Sequence, residues 1–472
     1  MRKSSPEVAD AADDRIDPSV WKIAGVALFG ALLAQLDATI VNVSLSNLAA
    51  QLDSSLSTIQ WVTSGYLLAL TLVLPLNGWL VDRIGARALY LWCFSAFTLC
   101  SALCGLAWSA PSLIGFRVLQ GVSGGLLAPM TQMMIARAAG KHMARVAGYM
   151  ALPVLLALVL GPVIAGAILQ YASWRWLFLV NLPIGLVALL LVHLFLPGDR
   201  YETTRRRLDW VGLALLSPGL VMFLYGSERL HGAGGRLILA CGLLMMGAFL
   251  WSARQKGDSA LIDLRLFRGK VFSVAAVTQF LSNGGMFAGQ MLIPAFLIQA
   301  CGRAPSDMGW LLAPLGIGMI LTNPFMGMLT DRFGIRCVSA GGALLTLLAT
   351  LPMVYLATHG LNLLVLIPAL VLRGIGMSGV GLPSLSAAYA SVRQERMPMA
   401  TTSLNIVQRL GGPTMTTLCA TFLAWKLKSV DAGHAISSAY GGALLILCGI
   451  HAFAFLAAVQ LPRRLDDVTI PG

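Results

Sequence analysis

Charge is scarce in this chain. Only 11% of its 472 residues are Asp, Glu, Lys or Arg, less than half of the roughly 25% typical of soluble globular domains. With 57% of residues hydrophobic, so few charges cannot form a water-facing shell, which excludes a string of soluble domains. Acids are scarcer still, 20 against 33 Lys and Arg, for a net charge of +13. The basic residues sit in short gaps between apolar runs rather than in one patch, which argues against a nucleic-acid partner. The eight cysteines show no metal-type pair and no disulfide framework, and most lie inside apolar runs as small hydrophobes. No G-x-x-x-x-G-K-[ST] phosphate loop occurs, and neither does H-E-x-x-H or G-x-S-x-G. An ATP-driven motor and these hydrolase sites are thereby excluded, and neither a cofactor nor a metal is expected.

Apolar runs are what the chain has in quantity. A spanning helix needs about 20 mostly apolar residues, and fourteen such runs can be read between residues 21 and 461. The sequence therefore predicts an all-α polytopic membrane protein. Residues 1–20 form a polar tail without the basic-then-apolar order of a cleaved leader. Six spans follow in 21–196, two in 197–271 with flanking basic loops, and six in 272–461, with a second tail at 462–472. If the N-terminus is cytoplasmic, twenty-four Lys and Arg fall on the cytoplasmic side and six on the other. That asymmetry predicts a multi-pass protein of a cell membrane, the inner or plasma membrane, with both termini cytoplasmic.

A weak internal repeat divides the chain. Gly78-Trp-Leu-Val-Asp82-Arg83-Ile-Gly85-Ala-Arg87 recurs as Gly327-Met-Leu-Thr-Asp331-Arg332-Phe-Gly334-Ile-Arg336, 249 residues later. At roughly 30 residues per span and loop, that offset is about eight helices. Two six-helix halves with two helices inserted between them satisfy it, a parallel-repeat arrangement known among transporters. The glycines suit tight turns, and the charges can bond neighbouring helix ends as latches, or serve only as turn and anchor.

Charges inside spans default to a functional hypothesis, because each costs about 3 kcal/mol or more at the bilayer centre unless paired or hydrated. Asp37 is the one deep acid; Arg117, Arg373 and Arg409 are the deep bases. A buried carboxyl that takes up and releases a proton can couple proton flow to transport, the alternative being a fixed ion pair. Arg117 shares a helical face with Gly121 and Gly124, so it can reach a bundle-interior partner, with Asp37 the obvious candidate. In the fifth span Ala157, Gly161 and Ala165 lie four apart beside Pro162 and Gly166, a pattern for a hinge or seam or for an ordinary kinked packing helix. Polar stripes at Gln279, Asn283 and Gln290 and at Asn405 and Gln408, together with Asn42 and Gln120, are candidate linings of a cavity. His193 and His451 read as packing residues.

With these motifs assembled, the chain resembles the major facilitator superfamily, and within it the fourteen-span drug:proton antiporters. The carriers of that resemblance are Leu36-Asp37-Ala-Thr39-Ile-Val-Asn42-Val, Gly78 to Arg87, Arg117 to Gly121, Gly161-Pro162-Val-Ile-Ala165-Gly166, and Trp174-Arg175-Trp176 to Gly185. Ala157 and Ala165 replace two glycines usual in the fifth-span motif, and Leu45-Ser46 stands where a leucine-proline pair is usual. The resemblance implies two six-helix bundles rocking about a central cavity. It also implies efflux driven by a proton gradient, with Asp37 and Arg117 coupling protons to a small-molecule substrate, and a monomer in the lipid bilayer. A lipophilic cation would compete with the proton at Asp37. The alternative is a transporter of a specific metabolite or organic anion, held by Arg117, Arg373 or Arg409.

Overall fold

A computed structural model of the chain describes residues 16–196, 198, 207–230, 232–428 and 435–464. The tails expected at 1–20 and 462–472 fall largely outside the described residues, as do Arg200, Arg205 and Arg206. Among the described residues there is no strand. Fourteen long helices follow one another: α1 Pro18–Gln51, α2 Leu56–Ile84, α3 Ala86–Gly105, α4 Ala110–Ala139, α5 Met143–Tyr171, α6 Trp176–Phe195 and α7 Trp210–Glu228. The rest are α8 Ala233–Lys256, α9 Lys270–Gln299, α10 Met308–Phe333, α11 Ile335–His359, α12 Leu363–Ala390, α13 Met397–Lys428 and α14 Ala435–Ala458.

Local chemistry sets their ends. Asp17 accepts from the Ser19 amide before Pro18 opens α1, and Ser55 accepts from the Thr58 amide at the start of α2. Ser109 and Ser112 cap each other reciprocally at α4, next to Pro111. The paired motif glycines break the chain between α2 and α3 and between α10 and α11. Gly85 has φ 87° and ψ 158°, Gly334 φ 83° and ψ 157°. Both therefore occupy a backbone region open essentially to glycine alone, and the sequence repeat is a repeat of conformation.

Among the described residues, thirteen helices are long and apolar enough to cross a membrane. The exception among the described residues is α13, read from sequence as the span at 400–425. Its polar side chains turn inward: Thr401, Thr402, Ser403 and Asn405 are buried, so a helix too polar for lipid is kept by its protein neighbours.

α1 to α6 pack mainly on one another, and so do α9 to α14. α7 and α8 pair with each other, and α7 alone of the two also rests on α2 and α13. The halves meet through α5 against α10, α2 against α13 and α4 against α13.

Candidate functional site

The deepest polar cluster joins five helices of the first half. Asp37 on α1 and Arg117 on α4 are both 0% exposed, and Arg117 Nη1 lies 2.5 Å from Asp37 Oδ2. The other carboxylate oxygen accepts from Asn181 Nδ2 of α6 at 2.9 Å and from Gln120 Nε2 of α4 at 3.2 Å. Ser101 of α3 accepts from the same two amides, at 3.1 and 3.2 Å, and donates to the Phe178 carbonyl. Arg117 also donates through Nη1 to Gln120 Oε1 at 2.8 Å and through Nε to the Val62 carbonyl of α2 at 3.2 Å. Its guanidinium lies 4.1 Å from the centre of the Tyr66 ring. Gly121 makes this possible, because a Cβ there would strike the Tyr66 backbone. The carboxylate is thus hydrogen-bonded through both oxygens and the guanidinium through Nη1 and Nε, while Arg117 Nη2 is buried without a hydrogen-bond partner; such pairing is the condition under which ions persist in an apolar interior. Ser101 carries no signal in the sequence beyond being polar in an apolar run; Asn181 lies within the Trp174 to Gly185 stretch that carries the family resemblance, but sequence reasoning assigned neither residue a role.

The second half repeats the geometry without the acid. Arg373 of α12, 1% exposed, donates to Thr350 Oγ1 at 2.9 Å and to the Gly285 carbonyl at 3.1 Å. Thr350 is 249 residues from Ser101, the motif offset, and the same offset takes Asp37 to Met286 of α9, between Gly285 and Gly289, where there is no acid. Gly289 leaves the room that Arg373 fills.

A cavity of about 690 Å³ lies between the halves, within the size range of small-molecule sites. Its walls are α2 with Trp61, Ser64 and Leu68, α9 with Asn283 and Phe287, and α13 with Asn405, Gln408, Arg409 and Thr417. The inserted α7 supplies a fourth wall with Tyr225, Glu228 and Arg229, a contribution the sequence did not reveal. Of the expected lining residues, Asn283, Asn405 and Gln408 are there. Gln279 sits behind the wall, accepting from Gln408 Nε2 at 2.9 Å and donating to the Gly381 carbonyl and Ser384.

Besides Gln279, three further expected lining residues do not line this cavity. Gln120 is consumed by the Asp37 cluster. Asn42 is exposed, because five residues beyond Asp37 the helix has turned to its outer face. Gln290 is exposed roughly 16 Å along α9 from Gln279, beyond the stretch that Asn283 and Phe287 contribute.

The motif loops mark the closed end of the cavity. Gly78 brings α2 against α13, where a Cβ would come within 3.3 Å of the Pro398 carbonyl. Gly327 brings α10 against α5 so closely that a Cβ would meet the Arg145 backbone. Asp331 pairs with Arg145 across the halves at 3.3 Å. Gln132 of α4 accepts from both Tyr389 and Asn405 at 2.9 and 2.8 Å, and Asn77 donates to Thr402. Arg87 and Arg336 do different work. They donate to the His193 and Leu461 carbonyls, at 3.0 and 2.7 Å, tying each motif to the end of the last helix of its own half. Arg83 and Arg332 are exposed, while Asp82 is partly buried. On α5, Gly161 packs on Thr39 of α1 and Ala157 and Ala165 are buried, whereas Pro162 and Gly166 are exposed.

The sequence model of the Major Facilitator Superfamily matches residues 27–416. The chain belongs to the Major Facilitator Superfamily. It is therefore a multi-pass membrane transporter and not an enzyme. It is 32% identical over 461 residues to the multidrug resistance protein B homolog of Mycobacterium tuberculosis, covering 96% of this chain and 85% of that protein. It is 31% identical over 357 residues to the putative multidrug resistance protein MdtD of Yersinia enterocolitica, covering 74% of each. Among solved structures, the proton:xylose symporter XylE superposes with a TM-score of 0.65 at 14% identity, over 94% of this chain and 95% of that one. The human organic anion transporter MFSD10 gives 0.64 at 17% identity, over 94% and 100%. At such identities these two likenesses speak for the fold alone.

Proposed function

We propose that this chain is a proton-coupled efflux antiporter that exports lipophilic small molecules across a cell membrane by alternating access. Asp37 is the proton-carrying group and Arg117 its partner. The names of the two bacterial relatives support the cargo class, and the basic-residue asymmetry supports a cytoplasmic motif end. The conformation described is then closed to the cytoplasm and open outward, the state in which cargo leaves and a proton enters. The observation that carries the coupling is the buried Asp37–Arg117 pair, joined through Val62 and Tyr66 to α2, a wall of the cavity.

Neutralising one member of a buried pair leaves the other charge uncompensated, at a cost of about 3–5 kcal/mol. A proton on Asp37 therefore cannot be held passively: Arg117 must find new partners, and its present ones include the backbone and a ring of α2. Proton arrival and movement of that wall become one event. Direct competition of cargo with the proton at Asp37 has less support, because Asp37 does not line the cavity.

The test uses purified full-length protein in liposomes with an imposed pH gradient. Asp37→Asn is expected to lower uphill transport at least tenfold while cargo binding persists. Proton-driven transport at the wild-type rate in that variant would refute the reading.

A further inference from the structure

The three deep arginines have different fates. Arg117 is committed to Asp37, and Arg373 to Thr350 and Gly285, both away from the cavity. Arg409 alone opens into it, and among the described residues it has no hydrogen-bond or ion-pair partner. An arginine carries five N–H donors in a planar fork. At this depth, donors without protein partners must be met by whatever occupies the cavity. The other lining charges are Glu228 and Arg229, at the rim formed by the end of α7. Arg229 lies at that rim rather than in the depth of the cavity, its guanidinium 4.4 Å from the centre of the Tyr225 ring, a contact that engages its charge but none of its N–H donors.

The rim is also aromatic. Trp61 of α2 and Tyr225 of α7 stack at 6.1 Å with 27° between their planes. Thr417 of α13 donates to the Ser227 carbonyl of α7 at 3.4 Å, which fixes the two helices in register. Counting down α13 from Thr417, Arg409 lies roughly 12 Å deeper, about 9 Å below the level of Tyr225. An aromatic platform at the rim and the deep Arg409 guanidinium thus face one cavity at a separation that a single amphipathic molecule can bridge.

We infer that this cavity selects amphipathic aromatic anions, seating a carboxylate or comparable oxyanion on Arg409 and an aromatic body against the Trp61–Tyr225 pair. The inserted helix α7 is then part of the substrate site, since it supplies half of the platform. Bidentate pairing of a carboxylate with a guanidinium is among the stronger hydrogen-bonded contacts. It outweighs the bulk attraction of the same group for water only when the fork is fully used, which favours a planar oxyanion over a lone acceptor. The inference rests on the efflux reading for the direction of transport, but not for the binding itself.

The experiment measures equilibrium binding to purified full-length protein in lipid nanodiscs, with no gradient present. The probes share one fluorophore: 1-pyrenebutyrate, its neutral primary amide, and the quaternary ammonium of matched length. The carboxylate is expected to bind about tenfold more tightly than the amide, as a charge-assisted hydrogen bond adds ~1.5 kcal/mol, and the ammonium more weakly than the amide. Arg409→Gln is expected to bring the carboxylate-to-amide ratio close to one, and Arg409→Lys to restore part of it. Trp61→Ala is expected to weaken all three probes while keeping their ratios. Size-exclusion profiles and melting temperatures establish that each variant is folded.

Equal affinity for carboxylate and amide in the wild type, or an undiminished ratio in Arg409→Gln, overturns the inference. So does a preference for the ammonium. Failure of the efflux reading looks different: Asp37→Asn would keep uphill transport at the wild-type rate, whatever the binding ratios.

Discussion

At the scale of single residues, the two halves differ by one carboxylate. Arg117 and Arg373 are equally buried, yet only the first faces an acid; the second is held by a hydroxyl and a backbone carbonyl. A proton can therefore change the charge balance around one arginine and not around the other, which confines the proposed coupling to the first half. The motif glycines are the clearest point of local strain. Gly85 and Gly334 sit at φ 87° and 83° with extended ψ, where any Cβ is disfavoured by about 1–3 kcal/mol. Gly85→Ala should lower the melting temperature of the purified protein by that equivalent. Gly334→Ala should do so at least as strongly, because a Cβ there also meets the Arg463 carbonyl. A melting temperature unchanged in both variants would show that this backbone conformation is not required.

At the scale of elements, the inserted helix is anchored by charge. Asp209 caps α7, accepting from the Gly212 amide at 2.9 Å, from the Leu261 amide at 3.1 Å and from Lys256 Nζ at 2.5 Å. These contacts clamp the start of α7 to the end of α8 and the segment after it. Burial pushes the Asp209 carboxyl up, but the Lys256 ammonium and the two amides outweigh it and leave the group below its ordinary value. A carboxyl lowered on folding contributes stability that is present above the unfolded value, about 3.9, and is lost as pH falls through the folded value. The melting temperature of the wild type should therefore exceed that of Asp209→Asn at pH 7, and the gap should narrow by pH 3. A gap independent of pH would remove the charge argument. If α7 forms part of the substrate site, loosening this clamp should also weaken binding at the far end of the helix.

At the scale of the whole molecule, the two halves close on each other at the end that carries the repeated motif. The contacts there combine close glycine approaches with the cross-half ion pair Arg145–Asp331, whose side chains are 19% and 29% exposed. A pair this accessible contributes about 0.2–1 kcal/mol, enough to shift a two-state equilibrium severalfold without affecting the fold. Arg145→Asp should raise the labelling rate of a cysteine placed at Thr402, in a background without the native cysteines, by about two- to fivefold. Adding Asp331→Arg should reverse the increase. Labelling that is insensitive to both changes would show that the pair does not hold the closed end.

The sequence alone determined the class of solvent and the number of long helices; it pointed to a grouping about an internal repeat and offered Asp37 as a candidate partner for Arg117. Each follows from one strong constraint: unpaired charge and unsatisfied backbone are too costly in hydrocarbon, so apolar run length and the rare buried ions are read almost directly. Tertiary structure alone decided which polar residues meet. Asn181 and Ser101 serve the carboxylate, Gln120 is spent there rather than in the cavity, and Asn42 and Gln290 face outward. Amide and hydroxyl side chains are cheap enough to sit on several faces of a membrane helix, so composition does not fix their partners. The fourth wall of the cavity was hidden for a related reason. Where an inserted helix rests depends on the angle between two packed halves, a long-range property that no local pattern in α7 encodes.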